Sequence, residues 1–211
     1  MRLSSPEHLR IVQSNHFDVE YGGGEANVAV SLAQFGVPAA FITRLPDNEL
    51  GKAALASLDS RGVNTSFIRL GGERLGIYFL EKGANVRPGK VIYDRANSSM
   101  AGIRPGMIDW GSVFREAHWF HWTGITPALS QSAADVCLEA LKTAKEMGLT
   151  ISGDPNYRSN LWQYDVAPDA LIRTFIGYCD VLIASEFDAS RLLGVEDQDL
   201  NFNQVHAMDG R

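Results

Sequence analysis

Small apolar residues recur at helical spacing near the start of the chain. In "EANVAVSLAQFG" they occupy positions 26, 29, 30 and 33, which predicts a helix that Gly36 ends. The stretch "DNELGKAALASLDSRG" predicts a second helix, with Asp47 as its N-cap and Gly62 just beyond its end. The apolar run "PAAFITRL" between them predicts a short strand.

The pattern changes to short β-type runs between Phe67 and Arg95. These runs are "FIRL", "LGIYFLEK" and "KVIYDR", and the turn-forming "GANVRPG" separates the last two. Alternate residues of "LGIYFL" share a face, as a two-residue period requires. No long helix interrupts the block, which predicts a small antiparallel insertion.

Strand and helix patterns alternate from His118 onward. "HWFHWTG", "LTISGDPN" and "DVLIAS" predict strands, and each is followed by a helical pattern, most clearly "SQSAADVCLEALKTAKEMG". This alternation predicts an α/β fold with parallel strands and crossover helices. Ligands of such sheets bind beyond the carboxyl ends of the strands. Those ends are "TGITP", "GDPNYR" and "SE".

Composition narrows the function classes. The 211 residues carry a net charge of −6, which gives no reason to expect nucleic acid or an anionic membrane surface as a partner. No apolar run approaches the ~20 residues of a membrane span. Cys137 and Cys179 are too few and too far apart for a disulfide framework or a C-x-x-C site. We therefore expect two free, buried thiols in a cytoplasmic protein.

Several common catalytic motifs do not fit. Asn27 stands where the G-x-G-x-x-G pattern begun by Gly22 and Gly24 needs glycine, and neither "LGKAA" nor "PGKVI" has P-loop spacing. His118 and His121 are three apart on a predicted strand and so point to opposite faces, which argues against a metal site. There is no G-x-S-x-G elbow either. We predict no dedicated protein metal site.

Three polar stretches keep two interpretations each. Gly22–Gly24 could form only a turn, or could let a polyhydroxylated ligand reach the backbone beside the Asn27 amide. In "IYF…VIYDR" the aromatic and basic residues could be ordinary surface, although Tyr93 and Arg95 share a strand face. "GDPNYR" makes a good turn, yet it crowds polar residues at a strand end. Two arginines near one cleft, Arg95 and Arg158, would suit an anionic substrate.

"GGGEANVAVSLAQFG" resembles the first signature of the ribokinase-like (phosphofructokinase B) carbohydrate kinases, and "RLPDNELGKAALASLDSRGV" continues it in register. Within that family the chain is most similar to 2-keto-3-deoxygluconate kinases, through "GIYF", "VIYDRANS", "HWTGITPALS", "DPNYRSNLW" and "LIASEFDASRLL". The resemblance implies an α/β sandwich with a small β-sheet lid. Residues 22–66 and 100–211 would form the main domain, and residues 11–21 and 67–99 the lid, through which a homodimer could form.

The resemblance also implies a reaction, the ATP-dependent phosphorylation of a sugar acid at a primary hydroxyl, with Mg²⁺ on the nucleotide phosphates. Residues that would bind the substrate are Gly23, Gly24, Asn27, Tyr78, Tyr93, Arg95 and Arg158. Arg158 would contact the substrate or the transferring phosphate. Asn156, Glu186 and Asp188 would lie at the nucleotide, although the family's usual asparagine in this last region is Ser185 here.

The resemblance leaves a catalytic segment unaccounted for. Family members carry a Gly-Ala-Gly-Asp motif whose Asp is the catalytic base, and the 211 residues contain no such motif. We therefore expect an incomplete or truncated sequence, with the intact protein active and these residues alone inactive. Two alternatives stay open: a fructokinase or other sugar kinase of the family, and a sugar-acid binding protein without catalysis.

Overall fold

The computed structural model describes residues 1–194, and these fall into two compact units that divide after Gly102. The first unit, Met1–Gly102, contains a mixed four-stranded sheet, two helices and a pair of parallel strands. Its elements are β1 (Arg2–Ser4), β2 (Asp18–Glu20), α1 (Gly24–Gln34), β3 (Arg44–Leu45), α2 (Glu49–Asp59), β4 (Arg69–Leu70), β5 (Ile77–Glu81) and β6 (Lys90–Asp94).

The four-stranded sheet has the order β2-β1-β5-β6. β5 and β6 are antiparallel, as the sequence predicts, and Tyr78 lies opposite Tyr93. β1 joins β5 in parallel and β2 in antiparallel orientation, so the sheet as a whole is mixed. β2 lies within residues 11–21, which the family resemblance assigns to the β lid, whereas β1 has no counterpart among the predicted elements.

α1 and α2 pack over the first unit's apolar core. α1 contributes Ala26 and Ala29, and α2 contributes Ala54 and Leu58. Ala26 and Ala29 are among the small apolar positions whose spacing predicts α1, and the small side chains of these two residues and Ala54 allow close packing. Both predicted helices are therefore confirmed.

Two details of the first unit differ from the sequence predictions. The N-cap of α2 is Asn48 and not Asp47, because the Asn48 side chain accepts hydrogen bonds from the amides of Leu50 and Gly51, both at 3.1 Å. The "FIRL" run was predicted with the antiparallel insertion. Instead its strand β4 pairs in parallel with β3. Only two residues of "PAAFITRL" enter that ladder.

The second unit begins at Ile103 and contains a parallel sheet with helices around it. Its described elements are α3 (Trp110–Phe114), β7 (Trp119–Thr123), α4 (Gln131–Glu146), β8 (Thr150–Asp154), α5 (Pro168–Ile176), β9 (Val181–Leu182) and α6 (Glu186–Leu193). The strands are ordered β7-β8-β9, and both pairings are parallel. The predicted alternation of strands and crossover helices is confirmed, while the short helix α3 was not predicted.

The core of the second unit lies between this sheet and its helices. Ile151 of β8, Leu141 of α4 and Phe175 of α5 are each fully buried. Trp122 of β7 meets Phe175 edge to face, with ring centroids 5.5 Å apart. Within residues 1–194, Cys137 and Cys179 form no disulfide and both are buried. Burial raises the pKa of the Cys179 thiol to about 11. Over residues 1–194, no helix is long and apolar enough to cross a membrane.

Candidate functional site

An aromatic and cationic cluster forms where β5 and β6 pair. Tyr78 and Tyr93 are cross-strand partners whose ring centroids lie 6.2 Å apart. Arg95 directly follows β6, and its guanidinium carbon lies 5.5 Å from the Tyr78 ring centroid and 5.2 Å from that of Tyr93. Both distances fall within the range of cation–π attraction. The register of the hairpin therefore fixes the position of the cation.

The electrostatic state of Arg95 is unusual for an arginine. Burial lowers its pKa, while the two tyrosines and Glu25 favour the charged form. An arginine keeps its charge under such conditions, so Arg95 presents a partly desolvated cation. Hydrogen bonds from such a cation to an anion are stronger than those from an exposed one.

The glycine-rich stretch leads into α1. Gly23 is extended, at φ 172° and ψ 160°, and its carbonyl accepts a hydrogen bond of 2.8 Å from the Asn27 amide. A side chain at Gly22 would place its Cβ 3.2 Å from Asn27 Oδ1, which is tighter than usual. Glu25 in the first turn is near enough to act on the charge of Arg95. The start of α1 and the Arg95 cluster are therefore neighbours.

A second polar group lies at the carboxyl ends of β7 and β8. The Gly124 amide donates to the Asp154 carbonyl at 2.8 Å, which continues the ladder one residue past β7. A Cβ on Gly124 would lie only 1.9 Å from the Pro155 carbonyl oxygen, so no side chain fits there. The Asp154 Oδ1 atom accepts from the Asn156 amide at 3.0 Å and thereby closes a tight turn.

Asn156 and Arg158 follow this turn. Asn156 has a positive φ of 38°, a conformation that asparagine tolerates better than most residues. The Arg158 side chain is exposed, and its guanidinium donates to the Tyr157 carbonyl at 2.9 Å. No carboxylate in the described part of the chain forms an ion pair with Arg158. Arg158 is thus available to bind an anion.

The N-terminus of α6 carries the remaining predicted residues. Ser185 is its N-cap and accepts from the Asp188 amide at 3.1 Å, while its hydroxyl donates to Asp188 Oδ2 at 3.0 Å. Asp188 is 4% exposed, and its Oδ1 atom has no hydrogen-bond partner within the described chain. Glu186 is exposed on the first turn. A buried carboxylate oxygen without a donor is a potential site for a water or a hydrated cation.

The predicted site residues therefore form two groups, one in each unit. The first unit holds Gly23, Gly24, Asn27, Tyr78, Tyr93 and Arg95, and the second holds Asn156, Arg158, Glu186 and Asp188. Sequence reasoning missed Glu25 and Gly124 as parts of these groups. Two signals in the sequence point to them: Glu25 directly follows the three glycines, and Gly124 lies at the end of a predicted strand.

The profile of the pfkB family carbohydrate kinases matches residues 2–209. The chain belongs to this family. Among its relatives is a 2-dehydro-3-deoxygalactonokinase of Haloferax volcanii, 38% identical over 93% of the chain and 61% of that protein. A 2-dehydro-3-deoxygluconokinase of Thermoproteus tenax is 34% identical over 92% of the chain and 58% of that protein.

This pfkB family chain is also similar to a solved structure. It is a 2-dehydro-3-deoxygluconokinase from Thermotoga maritima, which superposes with a TM-score of 0.87 at 49% identity. The match covers 92% of the chain and 60% of that structure. The chain thus spans about three fifths of the length of these relatives. Its α/β fold with parallel strands agrees with that of the family.

Proposed function

We propose that the full-length protein is an ATP-dependent kinase of a 2-keto-3-deoxy sugar acid, such as 2-keto-3-deoxygluconate, and phosphorylates its primary hydroxyl. One observation carries the proposal: Arg95 is a partly buried cation that lies over two tyrosine rings. Such a cation is suited to the carboxylate of a sugar acid, a group that ribose and fructose lack. The kinases named among the relatives support the same substrate class.

In this proposal the first unit binds the sugar acid. Arg95 holds the carboxylate, and the rings of Tyr78 and Tyr93 keep the guanidinium in place. Gly23 and Gly24 leave the backbone accessible at the start of α1, and the exposed Asn27 amide can both donate and accept hydrogen bonds with hydroxyls. Binding energy at these points orients the primary hydroxyl for reaction.

The second unit would bind the phosphate end of ATP. Arg158 is exposed and suited to phosphate oxygens, and Asn156 and Glu186 lie at neighbouring strand and helix ends. The described residues contain no cluster of three His, Cys, Asp or Glu side chains that could enclose a metal. Mg²⁺ in kinases is usually held by phosphates, waters and one or two carboxylates, and the unpartnered Asp188 Oδ1 fits that kind of donor. The nucleotide with Mg²⁺ supplies the phosphoryl group and neutralises its charge.

The test uses the full-length protein and a panel of acceptors. Phosphorylation of 2-keto-3-deoxygluconate and its galactonate epimer would be compared with that of fructose and ribose by ADP release. Arg95→Ala should reduce kcat/KM for the sugar acid by about 10- to 150-fold, because a charge-assisted hydrogen bond contributes about 1.5–3 kcal/mol. The loss on a neutral ketose should be much smaller.

Arg69→Ala is the matched control, since Arg69 is an exposed arginine on β4 of the same unit. It should leave both activities unchanged. Equal losses on acid and neutral acceptors in Arg95→Ala would contradict the carboxylate role. Preferred turnover of fructose would identify a fructokinase instead. Sugar-acid binding without turnover would indicate a binding protein.

A further inference from the structure

The segment that carries Arg158 is fastened by contacts on its two sides. At its start, the turn closed by Asp154 and Asn156 anchors it to β8. Further along, the Tyr157 ring stacks on Trp162 with centroids 6.3 Å apart, and Trp162 meets Tyr164 at 6.0 Å. The Tyr157 side chain therefore belongs to a row of three aromatic rings. Its neighbours along the chain are Asn156 and Arg158, the two residues predicted to bind ligand.

The side chain of Arg191, on α6, lies over Tyr157, the first ring of this row. The guanidinium carbon of Arg191, on α6, lies 3.9 Å from the Tyr157 ring centroid. The edge of the same guanidinium contacts Asp169 Oδ1 of α5, with Nε and Nη2 each at 3.1 Å. A planar guanidinium can use its face for an aromatic ring and its edge for a carboxylate at the same time. Asp169 thus fixes the plane that holds Tyr157.

The far end of the row is fixed as well. The Tyr164 hydroxyl donates to the Pro127 carbonyl at 2.6 Å, and burial raises the pKa of this tyrosine to about 12. Pro127 belongs to the turn that follows β7. The aromatic row therefore connects α6 with the end of β7 and passes directly beside Arg158. Arg158 in turn bonds to the backbone of Tyr157, at 2.9 Å.

The ion pair between Arg191 and Asp169 is partly exposed, which limits its contribution to stability. The side chains of Arg191 and Asp169 are 34% and 41% exposed. Ion pairs at such positions add little to global stability. Their geometry nevertheless restricts the Tyr157 ring, and the Tyr157 carbonyl orients the Arg158 guanidinium. We therefore expect substitutions of Arg191 to affect function more than global stability.

We propose that Arg191, with Asp169 and Tyr157, is a positioning device that presents Arg158 to the anionic group transferred or bound at the carboxyl end of β8. The inference rests on the proposed function for the identity of that anion, the phosphate of ATP or of the product. Arg191 itself contacts no reacting atom in this scheme. It acts through Tyr157.

The first test is a double-mutant cycle in the full-length protein. Tyr157→Leu and Arg191→Met should each reduce kcat by about tenfold with little change in the KM for the sugar acid, since a misplaced Arg158 affects the transfer step. Tyr157→Phe keeps the ring and should stay within about threefold of wild type. In an Arg158→Ala background, both substitutions should have almost no further effect. Arg115→Met, an exposed arginine elsewhere in the unit, is the control.

The second test does not depend on turnover. The amides of Asn156 and Leu161 bond to Asp154 Oδ1 and to the Arg158 carbonyl, so their hydrogen exchange reports the order of this segment. Tyr157→Leu and Arg191→Met should accelerate exchange there and leave α4 unchanged. Unchanged exchange at these two amides would overturn the proposal, even if the protein proved not to be a kinase.

The two failures are distinguishable. If the wild-type protein phosphorylates no acceptor, the proposed function fails and hydrogen exchange alone decides the positioning role. If it phosphorylates a sugar acid but Arg158→Ala is fully active, the kinase proposal stands and the positioning role is refuted. Losses that persist unchanged in the Arg158→Ala background would also refute it, because they would show that Arg191 acts elsewhere.

Discussion

The contact between Gly124 and Pro155 allows a sharp test of how the strand ends are held. A Cβ on Gly124 would lie 1.9 Å from the Pro155 carbonyl oxygen, 2.9 Å from its carbonyl carbon and 3.2 Å from the Ile172 Cδ1 atom. In real structures a Cβ atom essentially never lies within 3.0 Å of such a non-bonded heavy atom. Gly124→Ala must therefore separate the ends of β7 and β8 by at least about 1.1 Å.

The cost has two parts. Overpacking a close-packed site costs about 1–3 kcal/mol. The same movement stretches the 2.8 Å hydrogen bond from the Gly124 amide to the Asp154 carbonyl, which adds about 1 kcal/mol. We expect Gly124→Ala to lower the free energy of unfolding by roughly 2–4 kcal/mol. The displaced strand end should also weaken activity, because Asn156 and Arg158 follow it directly.

Urea denaturation of the full-length protein, followed by circular dichroism, measures the loss. Gly111→Ala is the matched control: Gly111 lies within α3, and its added Cβ would meet only Asp109 Oδ1, at an ordinary 3.5 Å. Alanine in a helix should be neutral or slightly stabilising. A Gly124→Ala protein within about 0.5 kcal/mol of wild type would refute the close approach of the two strand ends.

Three further substitutions test the fold. Asn48→Ala should lower the free energy of unfolding by about 1 kcal/mol because it removes the N-cap of α2, whereas Asp47→Ala should leave it unchanged. If thermal unfolding showed that Asp47→Ala is the destabilising substitution, Asp47 would be the cap. A hydrogen bond from the Lys145 side chain lowers the pKa of Asp180, and a second one from the Ile151 backbone amide of β8 lowers it further. The Asp180 carboxylate therefore stabilises the fold at pH values above its ordinary pKa of 3.8, and this contribution disappears as the pH falls through the lowered pKa. Asp180→Asn should therefore flatten the acid side of the stability profile, and an unchanged profile would contradict this linkage.

The elements with strong periodicity could be predicted from the sequence. α4 runs from Gln131 to Glu146 within the predicted helical stretch, and the three predicted strands that alternate with helices form a parallel sheet. β1, β2 and β4 have two or three residues each, so their pairing depends on distant partners and not on local pattern. This is why "FIRL" was assigned to the wrong partner strands.

The candidate site was predictable to a similar extent. Tyr93 and Arg95 are two apart in the predicted strand "KVIYDR", so the sequence alone predicts a common face for them, and the hairpin register then adds Tyr78. Gly124 and Arg191 could not be found in this way. Their importance comes from contacts with Pro155 and Tyr157, which are separated from them along the chain and come near only in the folded unit.

The left-handed backbone of Asn156 changes how that position should be interpreted in any comparison of pfkB sequences. At φ 38° the chain selects among few residue types for conformational reasons alone. An asparagine at this position therefore satisfies the turn whether or not its amide touches a nucleotide. Glycine is the residue that separates the two roles, because it preserves the turn and removes the amide. A relative with glycine here would retain the shape of the strand end and dispense with the side-chain contact.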